Sequence, residues 1–208
     1  MIIKSVDALT VFDNTVFVDH CDREDYYKNQ ELMYSVECVF NLAEIKNRVR
    51  AQTWDSHLGT GETSEIVPYL GPANIPGGRD LTTWVIQRCK EITQSTNVIL
   101  LKSWMNRLNT GSQGRCHNHI SANSVEPTPD MVGIFYVNNS ENGSNLVFIK
   151  DGVHGALHSE FSESDKFYIE PKSGDLVLHK SGIWHAVTEH NATEPRICFV
   201  YHFRLDNK

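Results

Sequence analysis

Three histidines are the residues of this chain whose types and spacing best suit chemistry. His117 and His119 are one residue apart in "GRCHNHISANS", and His185 follows 66 positions later in "LHKSGIWHAV". Residues i and i+2 of a β-strand project from the same face, so a strand here would direct both imidazoles of the pair toward one point. Three neutral imidazole nitrogens on rigid strands bind a divalent metal and leave positions open for substrate and oxygen. The pattern predicts an enzyme-like metal site.

An incidental origin of the histidine pattern is the alternative interpretation. The chain has 10 histidines in 208 residues, so an H-x-H pair arises by chance fairly often, and many such pairs lie at protein surfaces. His179 precedes His185 by six residues, but this spacing does not guarantee a common face. The histidines outside the pattern are expected to be surface or hydrogen-bonded residues: His20, His57, His154, His158, His179, His190 and His202.

Short strands in the second half of the chain must position these histidines. From about residue 98 the sequence consists of branched and aromatic runs interrupted by Gly, Asn, Ser and Pro, a texture typical of strands and turns. Such a series predicts a sandwich or a barrel-like jelly roll. The predicted strands are "NVILLKSWMNRLN" (97–109), "CHNHISANS" (116–124), "MVGIFYVN" (131–138), "SNLVFIK" (144–150), "FYIEP" (167–171), "DLVLHK" (175–180), "HAVTEH" (185–190) and "RICFVYHFRL" (196–205).

Helices are predicted before this region and should cover one side of it. "YLGPANIPGGRD" (69–80) is rich in Gly and Pro and predicts a loop. Asp80 is expected to cap the helix that follows, "LTTWVIQRCKEITQS" (81–95), because its apolar residues recur at steps of three and four. A shorter helix is predicted over "LAEIKNRVRAQ" (42–52).

Length and composition predict one domain over residues 1–208, with a mixed helical and strand flank (1–97) and a jelly-roll core (98–205). The net charge of -7 disfavours a general nucleic-acid binder, which needs basic patches. The five cysteines are scattered and lack C-x-x-C spacing, as expected of reduced thiols in the cytoplasm. Neither a signal peptide nor an apolar run of about 20 residues is present, so no membrane association is expected.

Further motifs stand in a fixed order around the histidines. Asn106 and a Gly-containing turn precede the pair in "WMNRLNTGSQGRCHNH", Pro-x-x-Gly-Asp precedes His185 in "IEPKSGDLVLHKSGIWHAV", and Arg196 follows in "EPRICFVYHF". Over roughly residues 98–205 this arrangement resembles the non-haem Fe(II)- and 2-oxoglutarate-dependent oxygenases. The resemblance implies a mainly β double-stranded β-helix, or jelly roll, with flanking N-terminal helices.

The resemblance also implies roles for individual residues. His117 and His185 match the two histidines of that family's iron site. Arg196, 11 residues after His185, matches the basic residue that pairs with the distal carboxylate of 2-oxoglutarate, and a bidentate Arg–carboxylate pair is a strong, directional anchor. Asn106, 11 residues before His117, lies where several relatives use an asparagine to contact the same cosubstrate. Cys198 should point the same way as Arg196 on one strand.

Position 119 departs from the family's usual pattern, in which His-x-Asp or His-x-Glu completes a two-histidine, one-carboxylate triad. We favour His119 as the third ligand of a three-histidine site; the alternatives are Asp130, which follows the loop "SVEPTPD", or water. Asp130 would reach the metal only if that loop folded back. Tyr136 and Trp184 could line the pocket, although aromatic residues in strands are more often core residues.

The implied activity is that of an Fe(II)- and 2-oxoglutarate-dependent dioxygenase that hydroxylates a substrate and releases succinate and CO2. The acidic charge mildly favours a small molecule, an amino acid or a protein side chain over nucleic acid as substrate. Two alternatives remain open. A cupin-like metalloenzyme would not need 2-oxoglutarate, and a non-catalytic β-sandwich binding module would have incidental histidines and an Arg196 in a surface ion pair.

Overall fold

A computed structural model describes residues 6–42, 61–65, 70–120 and 127–206, in which antiparallel strands predominate, as the sequence predicts. The strands are β1 (Asp7–Val11), β2 (Asn14–His20), β3 (Glu62–Thr63), β4 (Asn97–Leu108), β5 (Gly114–His117), β6 (Met131–Asn138), β7 (Leu146–Ile149), β8 (Lys166–Ile169), β9 (Asp175–Lys180), β10 (His185–Val187) and β11 (Arg196–Asp206). The helices are α1 (Glu24–Tyr27), α2 (Gln30–Phe40) and α3 (Arg79–Thr93), and 3-10 turns lie at Pro72–Asn74, His158–Glu160 and Glu163–Asp165.

The described strands form two sheets in which neighbouring strands are antiparallel. The larger sheet has the order β1-β2-β9-β6-β11-β4-β3, and the smaller sheet has the order β5-β10-β7-β8. From β4 onward the chain passes repeatedly from one sheet to the other, as in a jelly roll. Trp104, Ile134 and Val200 of the larger sheet and Leu146 and Phe148 of the smaller sheet belong to one buried cluster. The predicted double-stranded β-helix is therefore confirmed.

Strand β11 lies inside the larger sheet, paired with β4 on one side and β6 on the other. Cys198 and Val200 belong to the cluster between the sheets, whereas Phe199, Tyr201 and Phe203 belong to a second cluster on the outer face. This alternation follows from the two-residue period of a strand. The helices cover the outer face with the apolar side chains Leu32, Val36, Val39, Phe40, Leu81, Val85 and Cys89.

Helix α3 confirms the predicted helix, but the prediction that Asp80 caps it was wrong. The helix begins at Arg79, its N-cap is Gly78, and Asp80 lies in the first turn, where a carboxylate interacts favourably with the helix dipole. A Cβ atom on Gly78 would lie 2.1 Å from the carbonyl oxygen of Pro72. The close packing of this 3-10 turn therefore requires glycine at the cap position.

The remaining predicted elements agree with the structure to different degrees. Residues 70–78 form the described part of the predicted loop, whereas the helix predicted over 42–52 lies, apart from Leu42, outside the described residues. Strand β5 ends at His117, well before the predicted end at residue 124. The hairpin of β1 and β2, which extends the larger sheet through pairing with β9, was not located from the sequence.

Two other expectations concern the cysteines and the membrane. All five cysteines, which lie within the described ranges, are free thiols. Among the helices that the structure describes, none is both long and apolar enough to span a bilayer.

Candidate metal and cosubstrate site

The structure brings the three histidines of the H-x-H and His185 pattern together at one end of the jelly roll. His117 is the last residue of β5 and is the register partner of His185, the first residue of β10. His119 lies two residues beyond β5, where its backbone N–H donates to the carbonyl oxygen of Ser181. One potential ligand atom from each histidine lies within 4.8 Å of the other two. The two sheet positions and one loop position thus converge on a single point.

Hydrogen bonds fix which nitrogens of His117 and His185 face this point. Nδ1 of His117 lies 2.8 Å from the carbonyl oxygen of Arg115, and Nδ1 of His185 lies 3.2 Å from that of Ile183. A carbonyl oxygen only accepts, so each Nδ1 carries the proton and each Nε2 has a lone pair. The Nε2 atoms of His119 and His185 are 3.4 Å apart. Two nitrogens can share one ion at this distance, since metal–nitrogen bonds are about 2.0–2.1 Å long.

The surroundings favour the neutral imidazole, which is the form that binds a metal. Burial, followed by the nearby His185, lowers the pKa of His119 well below its ordinary value. Burial also lowers the pKa of His179 to about 4 and that of His202 to about 3. These histidines are therefore uncharged near neutral pH.

Arg196 lies in the same cavity as the histidines and is buried, with 2% of its surface exposed. No ion pair joins it to a carboxylate of the described residues, and its Nε atom has no hydrogen-bond partner there. Its guanidinium carbon lies 4.9 Å from the centroid of the Tyr136 ring. A buried cation without a counterion is costly, so this arrangement fits a site that receives an anion.

The cavity joins the histidines to the guanidinium. It is narrow and partly open to solvent. Two more buried polar atoms at its wall, Asn106 Oδ1 and Trp104 Nε1, have no hydrogen-bond partner among the described residues, and the buried Tyr136 hydroxyl interacts with the Arg196 guanidinium. The apolar part of the wall consists of Leu108, Ile134, Leu146, Val187 and Val200. Together these groups could bind a small, linear, anionic molecule that also reaches a metal.

A second, more polar cavity opens outward from His117 and His119. Trp104 lies between the two cavities and lines both of them. The outer wall includes Glu65, Asn118, Ile120, Pro127, Pro129, His154 and His202. This opening is the route by which a substrate could approach the histidines.

Asp130, the alternative third ligand, is not brought to this point. It is exposed, and its carboxylate accepts a hydrogen bond from the backbone N–H of Leu205 at 2.8 Å. Of the two positions considered for the third protein ligand, the geometry therefore favours His119.

Sequence reasoning did not select three residues that the structure places at the site. Tyr136 was considered as a residue that could line the pocket, with a core role given more weight, and His179 and His202 were expected to be surface or hydrogen-bonded histidines. Both histidines are hydrogen-bonded, but His179 is fully buried and its ring centroid lies 4.8 Å from that of His185. The alternation of β11 offered a signal for His202, since it follows Arg196 by an even number of residues.

Comparisons with known proteins agree with this geometry. Residues 102–202, a little under half of the chain, match the family model described as "Putative 2OG-Fe(II) oxygenase". No curated protein matches the sequence.

Solved structures of other proteins share the fold at low sequence identity. A prolyl-4-hydroxylase from Pseudomonas putida superposes with a TM-score of 0.56 at 17% identity, over 92% of this chain and 93% of its own. The non-heme alpha ketoglutarate dependent epimerase SnoN from nogalamycin biosynthesis gives 0.59 at 11% identity, over 91% and 78%. HygX from Streptomyces hygroscopicus, with nickel and 2-oxoglutarate bound, gives 0.52 at 11% identity, over 91% and 81%. At these identities the likeness concerns the fold.

Proposed function

We propose that this chain, which matches the family model described as "Putative 2OG-Fe(II) oxygenase" over residues 102–202, uses Fe(II) and 2-oxoglutarate to hydroxylate a C–H bond of an organic substrate. The observation that carries the proposal is the single cavity that contains both the three convergent histidines and the buried Arg196. Either feature alone has simpler explanations. Together they provide the two anchors that a metal-chelating dicarboxylate requires.

The metal would be held by His117, His119 and His185. The donor set fits a divalent ion because its members are neutral imidazoles, two of which have their other nitrogen tied to a backbone carbonyl. Three protein ligands leave coordination positions for cosubstrate and O2. The bound metal and cosubstrate supply O2 activation: one oxygen atom enters the substrate C–H bond, and 2-oxoglutarate becomes succinate and CO2.

Arg196 would bind the distal carboxylate of 2-oxoglutarate. Its guanidinium is a planar, bidentate donor, and burial among apolar residues strengthens the charge-assisted hydrogen bonds it can make. The Tyr136 hydroxyl, which lies beside Arg196, is an additional donor to the same carboxylate. Asn106 would contribute through its side-chain NH2 group, because a carboxylate accepts hydrogen bonds and cannot pair with the buried Oδ1 atom. The apolar wall suits the two methylene groups of the cosubstrate and excludes water from the metal end.

The substrate would approach through the outer cavity. Its wall combines Trp104 and two prolines with an acidic group, Glu65, whose carboxylate forms an ion pair with Lys102 at 3.0 Å. Such a wall suits a small molecule or a protein side chain. The similar folds include a prolyl-4-hydroxylase and an epimerase from nogalamycin biosynthesis. The five free thiols support a cytoplasmic location.

The proposal can be tested without knowing the substrate. Ni(II) serves as a metal that is inert to O2, and calorimetric titration of the Ni(II)-loaded protein measures the affinity for 2-oxoglutarate. We expect Arg196→Leu to retain Ni(II) but to weaken 2-oxoglutarate binding at least about 100-fold, because a buried charge pair is lost. His117→Ala should weaken Ni(II) binding itself. Arg23→Leu, at an exposed arginine paired with Asp25, is the matched control and should change neither affinity.

Measurements of turnover distinguish the proposed oxygenase from a cupin-like enzyme and from a non-catalytic binding module. The Fe(II)-loaded protein should form succinate from 2-oxoglutarate only when O2 is admitted, and Arg196→Leu should abolish this at cosubstrate concentrations that saturate the unmodified protein. Metal-dependent O2 consumption that does not require 2-oxoglutarate would instead support a cupin-like enzyme. A folded protein that binds neither metal nor 2-oxoglutarate would support a binding module.

A further inference from the structure

We propose that His202 is a positioning residue for the metal site: its Nε2 atom accepts a hydrogen bond from Nδ1 of His119 and thereby holds the third ligand with Nε2 toward the metal. This inference rests on the proposed function, since it assumes that His119 is a ligand. It assigns a role to a residue outside the H-x-H and His185 pattern.

The three candidate ligands are held in two different ways. The Nδ1 atoms of His117 and His185 each lie against the carbonyl oxygen of the residue two positions earlier, so the local backbone sets both rings. His119 is outside β5, and its Nδ1 atom instead lies 2.8 Å from Nε2 of His202. The third ligand thus depends on a side chain 83 residues away.

The positions of the protons give this contact a direction. One proton must lie between His119 Nδ1 and His202 Nε2, because two lone pairs at 2.8 Å repel each other. If His202 donated it, neutral His119 would carry its own proton on Nε2, pointing at the lone pair of His185 Nε2 3.4 Å away. That proton would occupy the place of the metal. A bound metal therefore requires His119 to donate and His202 to accept.

The fold holds the acceptor in place. His202 packs edge-on against Trp104, with ring centroids 4.7 Å apart and an interplanar angle of 87°, and against His119 at 4.7 Å and 83°. It lies on β11 opposite Lys102 of β4 and Val132 of β6. The first residue of this strand is Arg196, so one strand would carry both the cosubstrate anchor and the support of a metal ligand.

Metal affinity tests the role without reference to turnover. In a chelator competition with Co(II), we expect His202→Phe, which keeps a ring but has no acceptor, to bind 10- to 100-fold more weakly than the unmodified protein. His202→Gln, whose amide oxygen can accept, should restore affinity to within about threefold. His154→Phe is the matched control: an exposed histidine of the same outer cavity, whose replacement should leave Co(II) affinity unchanged.

A second measurement uses the unmodified protein and does not depend on how the variants fold. In the Zn(II)-loaded protein, ¹⁵N NMR of the imidazoles should show His119 protonated at Nδ1 and metal-bound at Nε2, and His202 with an unprotonated Nε2. A folded His202→Phe protein with full Co(II) affinity, or a His119 bound through Nδ1, would overturn this inference alone. Failure of the unmodified protein to bind Co(II) would overturn the proposed metal site as well.

Discussion

The two faces of the larger sheet are built from different chemistry. On the outer face, β11 contributes Phe199, Tyr201 and Phe203 to a cluster sealed by α2 and α3. On the inner face, the same strand contributes Arg196, whose Nε atom has no hydrogen-bond partner within the described structure. Two residues three positions apart on one strand thus have opposite environments: Phe199 lies in apolar packing, whereas Arg196 is a buried charge with no counterion among the described residues.

This difference between the two faces predicts which substitutions change the stability of the fold and which change ligand affinity. Burial of apolar surface stabilises the fold by roughly 25 cal/mol per Å². The outer-face cluster consists of apolar side chains that contribute in this way. A buried charge or hydroxyl without a partner destabilises the fold, so such groups persist where a ligand satisfies them. We therefore expect substitutions in the outer-face cluster to change the free energy of unfolding, and substitutions of the polar groups around Arg196 on the inner face to change ligand affinity.

The largest expected effect is on the outer face. Phe199→Ala should lower the free energy of unfolding by about 3–5 kcal/mol, because it leaves a cavity in the cluster under the helices. Arg196→Leu should leave that free energy unchanged or raise it, since an uncompensated buried cation is replaced by an apolar side chain. Urea denaturation of both variants in the absence of 2-oxoglutarate measures the contrast. Equal destabilisation by the two substitutions would mean that Arg196 has a structural counterion.

The same strand shows which parts of the molecule local sequence can predict. The two-residue period places Arg196, Cys198 and Val200 on one cavity wall, and the structure agrees. Strand β5, however, ends at His117, so the strand argument does not account for His119, which is held by the carbonyl oxygen of Ser181 and by the ring of His202. These partners are remote in sequence and leave no local pattern.

The start of α3 is a second feature that local sequence did not predict correctly. Asp80 has the side chain of a good N-cap, but the packing of Gly78 against Pro72 fixes the start one residue before it. The cap is thus decided by contact with another turn. Strands that are continuous apolar runs, such as β6 and β9, were predicted with correct bounds. Positions set by contacts between distant segments required the structure.

The next largest effect is a loss of stability in acid, which is expected from His179 on the inner face of the larger sheet. Burial lowers the pKa of His179 to about 4, below the value of about 6.5 expected in the unfolded chain. Between these values the unfolded chain binds a proton that the folded protein does not, so stability is lost as the pH falls from about 6.5 to 4. For this group the loss approaches about 3 kcal/mol at pH 4. His179→Leu should flatten this pH dependence in chelator-treated protein, as measured by urea denaturation at a series of pH values.

Phe148→Leu is the control for this experiment. Phe148 packs against His179 with ring centroids 5.3 Å apart, so its replacement disturbs the same packing but removes no titratable group. It should lower stability by a similar amount at every pH. An unchanged acid slope in His179→Leu would show that another group dominates acid unfolding.

The smallest expected effect comes from one hydroxyl on each face. Tyr136→Phe should weaken 2-oxoglutarate binding about 3- to 10-fold, as expected for one lost hydrogen bond. It should leave stability nearly unchanged, because the buried hydroxyl makes no well-aligned hydrogen bond among the described residues, although the Arg196 guanidinium lies beside it. Tyr201→Phe makes the same substitution on the outer face, where the hydroxyl lies 3.5 Å from Thr82 Oγ1. It should cost up to about 1 kcal/mol of stability and leave 2-oxoglutarate affinity unchanged. Calorimetry measures the 2-oxoglutarate affinity of the two variants, and urea denaturation measures their stability. If Tyr136→Phe lowers stability but leaves 2-oxoglutarate affinity unchanged, its hydroxyl belongs to the core rather than to the cosubstrate site.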